Sequence, residues 1–157
     1  MGKNPTDRGK LGVKKSLLVE AGGGPLAIVL GPANRNDHLL LAETLDAIVA
    51  ERIPSSVLRQ HLCLDKGYDN ATGWQVTRGH GYIPHIRRIG EEKQAPDGER
   101  RYPARRWVVE RTIGWLSRCR GLLVRYEKDA ANYLGLLKLA CAMLWFRRLL
   151  HLAPDLR

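Results

Sequence analysis

Residues 107–123 read Trp-Val-Val-Glu-Arg-Thr-Ile-Gly-Trp-Leu-Ser-Arg-Cys-Arg-Gly-Leu-Leu. Set out at about 100° per residue, Val108, Thr112, Trp115, Leu116, Cys119 and Leu122 fall on one face, which predicts an amphipathic helix packed on a sheet. The opposite face holds Arg106, Glu110, Gly114, Ser117 and Gly121, so the acid of this helix stands above small residues that leave room for a ligand or a DNA strand. The spacing predicts one helix from Trp107 to about Leu123.

Working back from this helix, residues 87–106 form a long basic loop, and Tyr82-Ile83-Pro84-His85-Ile86 before it is a strand-like run. Asp69 or Asn70 is placed to cap a short helix through Val76. His61-Leu62-Cys63-Leu64 suits a buried strand and ends directly in Asp65, followed by Gly67. Earlier still, Asn36 and Asp37 open a helical pattern of Leu39, Leu40, Leu41, Leu45, Ile48 and Val49 that runs to the stop at Ile53-Pro54. Leu17-Leu18-Val19 and Leu26 to Leu30 flank the turn-rich Glu20 to Pro25 and predict a β-hairpin. Residues 1–16 read as a loop entering a strand. After the 107–123 segment, Tyr133 to Leu150 predicts a second long helix, and Pro154 ends the pattern. Strands alternating with helices and closed by a helical end argue for an α/β fold with a mixed sheet and flanking helices. One domain is expected over residues 1–150, with 151–157 as a tail.

Hydrophobic residues make up 44% and charged residues 27%, the balance of a folding globular chain. The net charge of +10 is segregated. Residues 1–16 carry 5 Lys/Arg against 1 Asp and residues 78–128 carry 13 against 6, whereas residues 17–77 carry 4 against 7. Such asymmetry is the footprint of a polyanion, because neutralised phosphates release counterions; a basic surface that serves only solubility is the alternative. Tyr133 to Leu150 includes Lys138, Arg147 and Arg148 and falls short of the about 20 apolar residues a membrane span needs, so no membrane association is expected. No signal peptide is visible, and a cytoplasmic location is expected. The three cysteines, Cys63, Cys119 and Cys141, are odd in number and far apart, which predicts core thiols rather than a disulfide framework. His38, His61, His80, His85 and His151 show no metal-like spacing in the sequence and are assigned no role.

Two acids stand out. Asp65 ends a buried strand, and Glu110 faces away from the apolar stripe of its helix. Divalent metals such as Mg²⁺ are held by one or two carboxylates together with phosphate oxygens and water, so two carboxylates beside a basic groove suggest metal-assisted phosphoryl transfer. The structural alternatives are a solvated Glu110 balanced by Arg106 or Arg111, and an Asp65 that caps the turn at Lys66-Gly67-Tyr68.

The run Trp107-Val108-Val109-Glu110-Arg111-Thr112, continued by Trp115 to Arg120 and by Arg125-Tyr126-Glu127-Lys128, resembles the glutamate-bearing signature of bacterial insertion-sequence transposases with an Asp-Asp-Glu triad. Leu64 to Asp69 is similar to the second-aspartate motif of that family, and Pro5 to Lys10 and Gly31 to Asp37 resemble the stretch between its two aspartates. The resemblance implies a ribonuclease-H-like mixed sheet with flanking helices, in which Asp65 is the second acid and Glu110 the third. Both would then be catalytic residues and ligands of Mg²⁺ or Mn²⁺. In relatives the first aspartate lies on a strand upstream of the segment matching residues 1–10, so one ligand and the first strand are expected to be missing from this chain, leaving a sheet edge open to association. The resemblance further implies double-stranded DNA, as transposon ends and target, for the partner. Lys14, Arg105, Arg106, Arg118, Arg120 and Arg125 are the foremost phosphate contacts, with Lys15, Arg87 and Arg88 beside them; Tyr68 and Trp74 are possible stacking platforms. The expected activity of the complete domain is metal-dependent phosphodiester hydrolysis and strand transfer. A stand-alone ribonuclease-H-like nuclease would need a third carboxylate. The other readings are a non-catalytic DNA-binding relic, or a downstream half completed by an upstream transposase half or by a homo-oligomer.

Overall fold

The computed structural model describes residues 1–5, 8–54, 56–86 and 106–152. Strands β1 (Gly2–Lys3), β2 (Leu11–Val19) and β3 (Pro25–Pro32) form an antiparallel sheet in the order β1-β2-β3. The hairpin expected from residues 17–30 is present, but β2 starts at Leu11, inside the segment expected as a loop. The reason is pairing: Val13 faces Pro32 and the ladder runs to Leu18 opposite Ala27, so the polar residues Lys14, Lys15 and Ser16 are held extended by backbone bonds that apolar periodicity does not register.

The hairpin turn is closed by its own acid. The Glu20 carboxylate accepts hydrogen bonds from Gly22 N and Gly24 N, each at 2.6 Å, and Arg148 reaches it at 2.6 Å. Gly23 has φ +95°, and a Cβ there would meet the side chains of Arg111 and Thr112, so only glycine fits. Burial acts to raise the Glu20 pKa, but the two N–H groups and Arg148 outweigh it and hold the carboxyl below its ordinary value. A depressed folded-state pKa gives stability that is present above the unfolded value and lost as pH falls through the folded one. Urea midpoints followed downward from about pH 6 should therefore fall less steeply in Glu20→Gln than in the wild type below the ordinary glutamate pKa of about 4.3; parallel profiles would contradict this role.

Strands β4 (Gln60–Leu64) and β5 (Tyr82–Ile86) pair in parallel across helix α2 (Ala71–Gly79). Asn70, and not Asp69, caps α2 by accepting from Gly73 N at 2.9 Å, and the helix continues past Val76 to Gly79. Helix α1 (Leu41–Asp46) follows a 3-10 turn at Asp37–Leu39 and is much shorter than expected. Ile48 still packs on the Leu41–Leu45–Leu62 cluster, but Val49 is 94% and Ile53 49% exposed, so beyond Ile48 the apolar spacing buries too little to hold the chain helical. Leu41 and Leu45 instead pack with Leu62, Leu18, Tyr68 and Val76, joining β2 to β4 through side chains. Among the described residues the strands lie in two sheets, one antiparallel and one parallel, where a single mixed sheet was expected. A ladder forms only where backbones approach to about 4.8 Å, and alternating patterns in sequence do not encode that distance.

Helices α3 (Arg106–Ser117), α4 (Arg120–Leu123) and α5 (Ala130–Leu152) complete the fold. Where one helix was expected over 107–123, the chain breaks at Arg118 and Cys119, whose N–H groups reach back only three residues, to Trp115 O and Leu116 O. The break lets Leu122 join Leu116, Ile28, Tyr133, Leu137, Ala140 and Cys141 in the main core. It also turns Cys119 outward, contrary to its expected place on the buried face. The Tyr133 hydroxyl donates to Leu122 O at 2.8 Å and Trp145 Nε1 to Pro25 O at 2.7 Å, so α5 ties both α4 and the hairpin. α5 begins at Ala130 and extends to Leu152, beyond the expected span of 133–150; no helix among the described residues is long and apolar enough to cross a membrane.

The thiols divide unequally, against the expectation of three core thiols. Cys63 and Cys119 are exposed, whereas burial pushes the Cys141 thiol up to about 11. Iodoacetamide at about pH 8 should modify two thiols promptly and the third only on unfolding, because the thiolate is the nucleophile; equal labelling of all three under native conditions would refute the packing of α5.

Candidate active site and nucleic-acid interface

Asp65 stands one residue past the carboxyl end of β4, where the chain leaves the sheet into a 3-10 turn at Lys66–Tyr68. It caps that turn, its Oδ1 accepting from Gly67 N at 2.8 Å, and its residue is exposed. The cap expected as an alternative to a metal role is therefore real. It engages Oδ1, and a carboxylate has a second oxygen. The Tyr68 phenol lies close by: burial, with the Asp37 and Asp65 carboxylates adding to it, pushes its pKa up to about 12. Tyr68 thus stays protonated at neutral pH beside Asp65. Trp74 donates to Asp69 Oδ1 at 3.1 Å and carries the Arg78 guanidinium over its ring at 5.2 Å, so one face of this candidate stacking platform is already covered.

Glu110 lies on α3, exposed, on the side away from the buried Val108, Thr112 and Leu116, as its spacing predicts. Among the described residues, open space lies along the small residues that follow it: a Cβ added at Gly114 or Gly121 would meet none of them within 4 Å. What sets the pitch of α3 is a pair of contacts that periodicity does not show. Arg111 donates to Gly22 O at 2.6 Å while its guanidinium lies 4.7 Å from the Trp107 ring and 4.8 Å from the Trp115 ring. Thr112, fully buried, donates to Gly23 O at 2.8 Å. The helix that bears Glu110 is thereby pinned to the β2–β3 turn. Arg111 pairs with backbone and aromatic faces in these contacts, which are not those of the Glu110 counter-ion considered from sequence.

The two acids are carried on different parts of the fold: α3 packs on β2, α4 and α5, and β4 packs on β5. Among the described residues no group of three or more His, Cys, Asp or Glu side chains is placed to hold a metal ion. Of the candidate DNA contacts, Arg118 and Arg120 are exposed on either side of the α3–α4 break. Lys14 donates to Arg35 O at 2.9 Å and pairs with Asp37 at 3.2 Å, tying β2 to the segment that follows β3. Arg125 donates to Glu127 O at 2.7 Å and Lys128 O at 2.8 Å, shaping the turn before α5. Lys15 reaches Leu122 O at 3.4 Å. Arg87, Arg88 and Arg105 lie outside the described residues, as does the Arg106 side chain.

Residues 2–145 match the family model described as the transposase DDE domain. A protein of Burkholderia cepacia, described as a candidate transposase for insertion sequence element IS402, is 36% identical over 155 residues, covering 94% of this chain and 69% of that protein. No solved structure gives a significant match.

Proposed function

Because the chain belongs to the transposase DDE domain family, we propose that it supplies two of the acids with which a DNA transposase cuts and rejoins phosphodiester bonds, Asp65 as the second and Glu110 as the third. The family's chemistry uses a divalent metal. The observation that carries the reading is the pairing of family match with placement: each motif acid is exposed and stands at the end or on the outer face of an element whose other side is buried.

Asp65 and Glu110 fit a hard cation, since both present carboxylate oxygen and Mg²⁺ takes one or two carboxylates with phosphate and water. They would hold Mg²⁺ or Mn²⁺, which when bound activates the attacking oxygen and stabilises the leaving one. The chain's own residues do the rest. The Gly67 N–H orients the Asp65 carboxylate, Arg111 and Thr112 fix the helix that presents Glu110, and Arg118 and Arg120 offer exposed cations to the DNA backbone. The ribonuclease-H-like arrangement belongs to this proposal: the antiparallel hairpin, the parallel β4–β5 pair and the terminal helices are its parts.

The test is cleavage of labelled linear duplex DNA by the purified chain in Mg²⁺ or Mn²⁺, beside a chelator control. Metal-dependent nicking or strand transfer supports the reading. Salt-sensitive DNA binding without cutting under either metal would leave a DNA-binding protein that does not cut as it stands.

A further inference from the structure

The parallel pairing of β4 and β5 brings together side chains that the sequence keeps far apart. Strand alternation puts His61 and Cys63 on the face opposite the buried Leu62, and the register sets Cys63 against His85. On that outward face His61 Nδ1 lies 2.5 Å from His85 Nε2, with ring centroids 4.8 Å apart and planes at 31°. Two ring nitrogens this close cannot both carry hydrogen. The centroids stand apart by about the N···N distance plus the two ring radii, so the rings meet nearly end to end, as in an N–H···N hydrogen bond whose proton a cation bound to both nitrogens would replace.

We infer that His61 and His85 form a two-imidazole site for one divalent ion of the zinc, nickel or copper class, on the outer face of the β4–β5 pair. Imidazole nitrogen suits these ions, whereas carboxylate and water suit Mg²⁺, so the site is chemically distinct from the two acids and stands independently of their proposed roles. Zinc–nitrogen bonds of about 2.0–2.1 Å in tetrahedral geometry place two ligand nitrogens roughly 3.3 Å apart. The nitrogens must therefore separate by less than about 1 Å, and the rings must turn so that both lone pairs point at the ion and not at each other, a change of side-chain torsions on two strands already in register. His61 is exposed, so an ion reaches the pair from solvent. No third His, Cys, Asp or Glu is in position among the described residues. Occupied, the site would cross-link β4 to β5 four residues before Asp65.

The experiment is calorimetric titration of the untagged chain with ZnCl₂ at about pH 7.5 and millimolar Mg²⁺, together with His61→Ala, His85→Gln, Cys63→Ser and His80→Ala. The expected result is one zinc per wild-type chain that Mg²⁺ does not displace. His61→Ala and His85→Gln should each raise Kd by at least about tenfold, while Cys63→Ser and His80→Ala bind as the wild type does. His80 serves as the control because its imidazole also faces a ligand, Asp46 Oδ1 at 3.0 Å. Unchanged circular dichroism of the two histidine variants shows that the fold is kept. Wild-type binding no tighter than that of the His61→Ala/His85→Gln double variant overturns the proposal, as does a loss confined to Cys63→Ser or His80→Ala.

Discussion

Metal-dependent strand cleavage should fall by at least about 100-fold in Glu110→Gln, with the fold unchanged. A metal ion stabilising charge in the transition state contributes several kcal/mol, and each 1.36 kcal/mol of barrier is about tenfold in rate, so loss of one ligand charge costs about two decades or more. Glutamine keeps the size and helical propensity of glutamate, and residue 110 is exposed, so stability should change by less than about 0.5 kcal/mol. Asp65→Asn makes the complementary test. Asparagine retains a side-chain oxygen that caps the Lys66–Tyr68 turn, so it removes the charge and keeps the hydrogen bond from Gly67 N. If the wild type cuts and both variants bind duplex DNA as tightly but do not cut, the acids act in chemistry. A wild type that cuts, with Glu110→Gln cutting equally well, would return Glu110 to the role of a solvated helix residue.

Leu137→Ala should destabilise the chain by about 2–5 kcal/mol. Leu137 is 0% exposed at the centre of the cluster formed by Ile28, Leu116, Leu122, Tyr133 and Cys141. That cluster joins α3, α4 and α5 to β3, so the cavity would open where the Glu110 helix meets the sheet. Leu139→Ala is the control: two residues along the same helix, Leu139 is 59% exposed, and its truncation should cost less than about 0.5 kcal/mol. Urea unfolding monitored by tryptophan fluorescence separates the two. Similar midpoints would mean that α5 does not pack as described, and with it the placement of α3.

Much of this was legible in the sequence because it rests on local chemistry. Alternation and turn residues marked the hairpin, the 61–64 strand and the 82–86 strand. The period of 107–117 put Val108, Thr112 and Leu116 inward and Glu110 outward, as observed. The family was legible through the motifs that single out Asp65 and Glu110, and the match along residues 2–145 agrees with that resemblance. The same local signals failed where the deciding partner lies far along the chain. Apolar spacing predicted helix through Val49 and Cys119, yet the first is 94% exposed, and the second is turned outward so that Leu122 can enter the core.

By itself, then, the sequence determined most element types, the basic segregation of charge, the family, and the two acids worth testing, because each depends on residues within a few positions of one another. Tertiary structure alone decided that the strands among the described residues lie in two sheets, that Lys14 and Arg125 are engaged within the protein, and that Arg111 and Thr112 pin the Glu110 helix to a turn 89 residues away. It alone set His61 against His85. These depend on which surfaces meet, and the free energy of that meeting is a property of the packed pair that neither segment's pattern contains.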